Sequence, residues 1–206
     1  MFFSLDGVDG SGKSTQTRLF CDWLVGGGHD VVVCRDPGST RLGEEVRKLL
    51  LDRDDLQLSR RAEMFLYMAA RAQLVEEVIR PALAARKTIV SDRFLLANVV
   101  YQGYAGGLDV PSLWEVGRVA TDGIEPDLTF VLDIDGETAS RRLNRPLDRM
   151  ERQGDGFRAA LRAGYLAEAA RRPDRIIVID ASGGIDEVQA KIRRAAETQR
   201  VEGTAS

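Results

Sequence analysis

The sequence predicts a parallel α/β sheet with helices on both faces, built as one domain. Three observations lead there. Five short runs rich in Val, Ile, Leu and Phe alternate with segments of helical spacing. Continuous apolar runs bounded by turn residues read as strands buried on both faces, and strand alternating with helix means parallel pairing through crossovers. The most specific polar stretches follow the runs directly, at the strand ends where ligands gather in such sheets. Finally, 206 residues, 44% hydrophobic and 30% charged, suit one large domain with a covering insertion rather than two.

In chain order, Phe2 to Leu5 is the first strand, halted by Asp6, and Gly12 to Leu24 is a helix after a glycine-rich turn. Val31 to Cys34 is the second strand; Arg35 to Thr40 ends it, and Leu42 to Leu51 and Arg60 to Arg86 follow with helical spacing. Pro81, lacking an N–H, should kink the longer segment or start a new turn after Arg80. Thr88 to Val90 leads into the polar Ser91 to Arg93, and Pro111 to Thr121 is the next helix. Leu128 to Leu132, closed by Asp133 to Asp135, precedes helices at Glu137 to Leu143 and Phe157 to Ala170. Arg175 to Ile179 is the last strand, with Asp180 to Ser182 after it and a final helix from Ile185 to Arg200. Residues 197–206 lack apolar anchors and are expected to fray. No internal repeat is present, so 1–206 reads as a single domain.

Composition excludes several classes of function. A formal charge of −3 gives the whole chain no footprint for nucleic acid or anionic lipid, so any anion must be met locally. Apolar runs such as Ile176 to Ile179 are far short of the ~20 residues that span a bilayer. Met1 to Leu5 has neither a basic flank nor a cleavage site, and a soluble, cytoplasmic protein is expected. Cys21 and Cys34 match no metal spacing, and with His29 the one histidine, a zinc site or a Ser-His-Asp triad is excluded.

The first strand runs into Gly7-Val8-Asp9-Gly10-Ser11-Gly12-Lys13-Ser14, then Thr15 and a helix, which matches the phosphate loop GxxxxGK[ST] in its strand-loop-helix setting. Its glycines let backbone N–H groups turn inward around phosphate oxygens, Lys13 reaches the β and γ phosphates, and the Ser14 hydroxyl takes a Mg²⁺ position. The loop alone does not choose between a switch GTPase, a motor ATPase and a small-molecule kinase. A guanine-reading NKxD is absent, since neither Asn98 nor Asn144 precedes a lysine, and no strand ends in the Asp-Glu pair of a motor ATPase. Instead the third strand ends in Ser91-Asp92-Arg93, which sets a carboxylate and a guanidinium beside the loop. That suits a kinase holding two anionic substrates together.

From FFSLDGVDGSGKST through RDPGSTRLGEEVRKLLL, EMFLYMAARAQL, VSDRFLLANVVYQG, PDLTFVLD and LDRME to VIDA, the chain resembles the bacterial thymidylate kinases of the type with a lid arginine. The resemblance implies the nucleoside monophosphate kinase form of the P-loop fold, with a five-stranded parallel sheet. It also implies transfer from ATP to dTMP and a homodimer packed through helices. Physically, Tyr67 and Arg71 lie four apart on one helix face, so an aromatic plane can stack on a pyrimidine while the guanidinium donates to its carbonyl. The family usually has Phe where Tyr67 stands; Phe94 and Ala97 replace a more frequent Tyr and Ser.

By resemblance Asn98 reads the polar edge of the base, Tyr101 crowds a ribose 2′-OH, Gln102 belongs to the same pocket, and Asp9 meets the sugar 3′-OH and helps organise the metal with Ser14 and Asp92. Arg93, with Arg35 and Arg47, would clamp the acceptor phosphate. Nine arginines against four acids between 141 and 172 mark a basic lid, about 141–156, over the donor phosphates. The family places the transition-state arginine either in the phosphate loop or on the lid, and none of Val8, Asp9, Gly10 and Ser11 is basic, so the resemblance implies a lid arginine: Arg149 first, Arg145 second, with Arg141 or Arg142 and Ala181 nearer adenine. Another deoxypyrimidine nucleotide or nucleoside kinase, or a P-loop ATP-binding switch, remains an alternative at this point.

Overall fold

A computed structural model describes residues 1–53, 55–142 and 154–203. Among them, strands β1 (Phe2–Gly7), β2 (Val31–Arg35), β3 (Thr88–Asp92), β4 (Leu128–Asp133) and β5 (Ile176–Asp180) pair in the order β2-β3-β1-β4-β5, every pairing parallel. The helices are α1 (Lys13–Gly26), α2 (Arg41–Leu51), α3 (Arg60–Leu74), α4 (Arg80–Ala84), α5 (Leu95–Asn98), α6 (Val110–Thr121), α7 (Gly136–Arg142), α8 (Asp155–Arg171) and α9 (Ile185–Gly203). No described helix is long and apolar enough to cross a membrane.

Central β1 is buried along its whole length, so the alternation of its side chains feeds a core on each face. Phe3 packs with Phe20 and Phe130, at centroid distances of 5.2 and 6.1 Å, in the core that includes Leu161, Tyr165 and Ile192. Phe2 meets Phe94 edge-on at 5.1 Å in the opposite core, with Met68, Leu74 and Leu113. Both cores sit beneath the carboxyl ends of β1 and β3 and hold those ends side by side.

Two stretches differ from the sequence expectation. The Arg60 to Arg86 run, expected to kink or restart after Arg80, is interrupted a turn earlier: α3 passes into a π-helical turn at Val75–Ile79, the Arg80 N–H reaches back to the Val75 carbonyl, and α4 begins at Arg80. The widened ladder makes room for the proline, which has no N–H to give. The stretch after Arg93, to which the sequence assigned no element, is α5 followed by a π-helical turn at Val99–Tyr104. Leu95, Leu96, Val99 and Val100 are all buried, so no amphipathic period marks this helix in the sequence. Smaller differences fall at ends: α8 starts at Asp155, and α9 runs three residues past Arg200.

At the end of β1 the fold buries a carboxyl. Asp6 is fully buried, receives the Ser4 hydroxyl at 3.0 Å and the Tyr165 hydroxyl at 3.4 Å, and faces Arg93, Lys13 and Asp92. Burial pushes it from 3.8 up to about 6, with Arg93, the Ser4 hydrogen bond and Lys13 pulling down and Asp92 pushing up. Between those values the folded chain holds more protons than the unfolded chain, so this group's contribution to stability is greatest below pH 4 and declines until pH 6. Above pH 6 the deficit is constant, about 3 kcal/mol. Asp6→Asn should therefore unfold at a higher temperature than the parent at pH 7, with the gap closing as pH falls to 4. A gap that is absent at pH 7, or that does not change with pH, would contradict this.

Candidate active site

The loop after β1 takes its shape from glycines at φ 134° (Gly7), 84° (Gly10) and 92° (Gly12), values that a side chain disfavours. A Cβ at Gly10 would also lie 2.4 Å from the Ala139 carbonyl oxygen, so the loop rests directly on α7. Lys13, at the start of α1, folds back over the loop and donates to the Gly7 carbonyl at 3.1 Å and the Val8 carbonyl at 2.9 Å. It also approaches Asp9 at 3.4 Å. Burial and the neighbouring Arg93 lower the Lys13 ammonium from its usual range, while Asp9, Asp92 and Asp6 support its charge.

Gly10, Ser11, Gly12, Lys13, Ser14 and Thr15 line a cavity of about 910 Å³, closed on other sides by Asp92, Arg93, Arg35, Arg47, Arg142, Ala181 and Gly183. Two of the expected loop contacts are placed differently. The Gly7 carbonyl holds Lys13 and Arg93, and Val8 turns into a separate cavity of about 650 Å³ between α7 and α8. Arg142 donates to the carbonyls of Ala181 and Ser182 at 2.8 and 3.1 Å and so fixes the loop after β5. Arg141 instead is exposed, 3.9 Å from Glu137. Arg145 and Arg149 lie outside the described residues.

A second cavity, about 110 Å³, is lined by Asp9, Asp36, Pro37, Arg47, Tyr67, Arg71, Arg93, Asn98, Tyr101 and Gln102. Asp9, Asp36, Arg47 and Arg93 line both spaces. Arg93 stands directly after β3 at φ 66°. Its Nη2 donates to Asp9 Oδ1 at 2.7 Å and to the Tyr101 hydroxyl at 3.1 Å, and Nη1 donates to the Gly7 carbonyl at 3.0 Å and the Tyr165 hydroxyl at 3.1 Å. Tyr101 in turn donates to Asp9 Oδ2 at 3.1 Å. Burial pushes the Asp9 carboxyl up, but Arg93, Lys13 and the Tyr101 hydrogen bond outweigh it and hold Asp9 well below the carboxylate range.

At the far end Arg71 is fully buried and pairs through Nε with Asp36 Oδ2 at 2.5 Å. Its Nη1 donates to Asn98 Oδ1 at 3.1 Å, and the Asn98 amide passes on to Gln102 Oε1 at 2.7 Å. Asp36 Oδ1 and Gln102 Nε2 are buried without a hydrogen-bond partner among the described residues. Sequence reasoning missed Asp36 as a site residue, although its place directly after β2 was a usable signal. Burial pushes its carboxyl up against the pull of Arg71.

The two remaining arginines differ. Arg35 is half-exposed and bonded twice to Glu44, at 3.0 and 3.1 Å, so its charge is largely satisfied; it borders the larger cavity only. Arg47 donates to the Pro37 carbonyl at 3.3 Å and has no ion pair among the described residues. Burial and the nearby Arg35 and Arg93 lower its guanidinium from its usual value, the signature of a cation placed among cations.

For a divalent cation, no group of three or more His, Cys, Asp or Glu is gathered among the described residues. Mg²⁺ keeps most of its water and takes one or two protein oxygens plus phosphates. The exposed Ser14 hydroxyl and the Asp92 carboxylate, both on the larger cavity, fit that demand, whereas both Asp9 oxygens are already hydrogen-bonded.

A sequence profile described as Thymidylate kinase matches residues 5–192. Thymidylate kinase of Rhodopirellula baltica is 46% identical over 189 residues, covering 92% of this chain and 77% of the relative. That of Symbiobacterium thermophilum is 43% identical, covering 96% and 92%. The crystal structure of thymidylate kinase from Ehrlichia chaffeensis superposes with a TM-score of 0.79 at 29% identity, covering 95% of this chain and 98% of that one. The profile match over most of the chain, together with relatives at 46% and 43% identity, places the chain in the thymidylate kinase family.

Proposed function

We propose that the protein transfers the γ-phosphoryl group of ATP to dTMP, the reaction of its family, with the ATP phosphates on the Gly10 to Thr15 loop and dTMP in the smaller cavity. The single observation that carries this is the wall common to both cavities, where Arg93 and Arg47, the latter without an ion pair among the described residues, stand at the junction. An acceptor phosphate there abuts the donor's last phosphate. The nucleophile is a phosphate oxygen with a pKa near 6, already largely ionised at pH 7, so no general base is required. Catalysis is then alignment plus neutralisation of charge by Lys13, Arg93 and Arg47. Mg²⁺, held by Ser14 and Asp92, would neutralise charge on the donor's phosphate oxygens. The last arginine comes from the lid, Arg149 before Arg145, because the phosphate loop has no basic residue besides Lys13.

Thymine suits the far end of the small cavity. Tyr67 offers a face for stacking, Arg71 a guanidinium whose orientation Asp36 and Asn98 already fix, and Gln102 a buried N–H with no partner among the described residues. Tyr101, tied to both Asp9 and Arg93, stands where a ribose 2′-OH would crowd it. A homodimer through α3 and α6 agrees with Phe65 and Val119, large apolar residues left 57% and 82% exposed on two helices that pack on one another. A reaction that draws on ATP fits the cytoplasm.

An ADP-release assay with MgATP across nucleoside monophosphates should give dTMP the highest kcat/KM, and faster turnover of GMP or AMP would overturn the pocket assignment. Arg47→Ala should raise KM for dTMP about 10- to 100-fold with a smaller change in kcat, because a charged contact to the acceptor phosphate is made before and during transfer. A KM within about twofold of the parent would remove Arg47 from the acceptor site.

A further inference from the structure

We propose that Tyr165 is a positioning residue for the phosphate clamp, its hydroxyl holding Arg93 from α8 in the orientation that faces the acceptor phosphate. This rests on the reading of Arg93 as part of that clamp. All four Nη hydrogens of Arg93 are engaged within the protein, by the Gly7 carbonyl, the Tyr165 hydroxyl, Asp9 and the Tyr101 hydroxyl. The side chain therefore works from a fixed frame, and displacement of any anchor turns the guanidinium plane. Asp9 lines both spaces and Tyr101 the acceptor pocket, so two anchors lie where ligands bind. Of the other two, which line neither space, Gly7 offers a backbone carbonyl that also holds Lys13, and Tyr165 is the side chain.

The placement of the hydroxyl is specific. Tyr165 is 1% exposed within the core shared with Leu161, Phe130 and Ala169, a setting that a phenylalanine ring would fill equally well. A phenol in such a place needs partners, and it has two of opposite sense. Its oxygen accepts from Arg93 Nη1 at 3.1 Å and its proton goes to Asp6 Oδ1 at 3.4 Å, so the lone pair is kept toward the arginine. The same helix supports Tyr101, the other hydroxyl on Arg93, through Phe157, whose ring lies 6.2 Å away in an edge contact. Helix α8 thus braces the clamp at two points.

The test is Tyr165→Phe, alone and combined with Arg93→Lys, assayed below the unfolding temperature of every variant. Tyr165→Phe should lower kcat about tenfold and leave KM for dTMP and ATP within about threefold, because geometry at the reacting phosphate is lost while the binding contacts remain. Added to Arg93→Lys, which is itself expected to lower kcat at least tenfold, it should change kcat by less than twofold. A Tyr165→Phe enzyme with parental kcat, alongside a crippled Arg93→Lys, overturns the positioning role and leaves the clamp standing. Equal losses from Tyr165→Phe in both backgrounds show a hydroxyl acting independently of Arg93 and overturn it too. If Arg93→Lys keeps full kcat, the clamp reading fails and the inference falls with it.

Discussion

The contact on which the site depends is the one between Arg93 and Asp9, 2.7 Å apart across the carboxyl ends of two neighbouring strands. It exists because β1 and β3 lie side by side in parallel, with Leu5 opposite Asp92 and the Arg93 N–H donating to the Leu5 carbonyl at 3.0 Å. The nucleotide loop leaves one strand and the Ser91-Asp92-Arg93 segment the other, so the sheet alone brings them together. Attraction outweighs desolvation at Asp9, and loss of one partner would strand the other in a water-poor space. Its value is geometric: it fixes Asp9, Tyr101 and Arg93 as one unit between the two cavities.

Charge is graded along the smaller cavity. At its base end Arg71 is matched by Asp36, and the remaining groups are amides and a tyrosine, so that end is close to neutral and rich in directed hydrogen bonds. At the other end Arg47 makes no ion pair among the described residues and stands near Arg35 and Arg93, with Asp92 in partial opposition, which leaves an excess of positive charge. A nucleoside monophosphate has the same grading reversed in sign, an uncharged base and a doubly charged phosphate. A nucleoside monophosphate lying along this grading, as proposed, would have its phosphate against the nucleotide loop.

Local features were legible in the sequence, and features made by distant partners were not. The phosphate loop is eight consecutive residues whose spacing is itself the chemistry, and the inner strands β3, β1 and β4 show as apolar runs because both faces of the sheet are covered there, whereas Val33 on edge strand β2 and Val178 on β5 stay exposed. The Tyr67 and Arg71 pair follows from helical spacing. Asp36, by contrast, is 35 residues from the arginine it neutralises, and Tyr165 is 72 from the one it supports, distances along the chain that no pattern spans. Arg35 and Arg47 look alike as arginines near the second strand. Glu44 makes the difference, because it reaches Arg35 and not Arg47. The helical stretch from Leu95 to Tyr104 escaped because burial on all sides erases the period by which a helix is recognised.

The central claim is that the wall between the cavities recognises a phosphate and the far end recognises a base, independently. Calorimetric binding of dTMP and of thymidine to the parent and to the Arg47→Ala variant tests it most directly. The account predicts that dTMP loses affinity by about 10- to 100-fold while thymidine, which has no phosphate, binds both proteins within about twofold. If the two ligands weaken by the same factor, or dTMP keeps its advantage over thymidine, Arg47 serves the fold rather than the phosphate and the account is wrong.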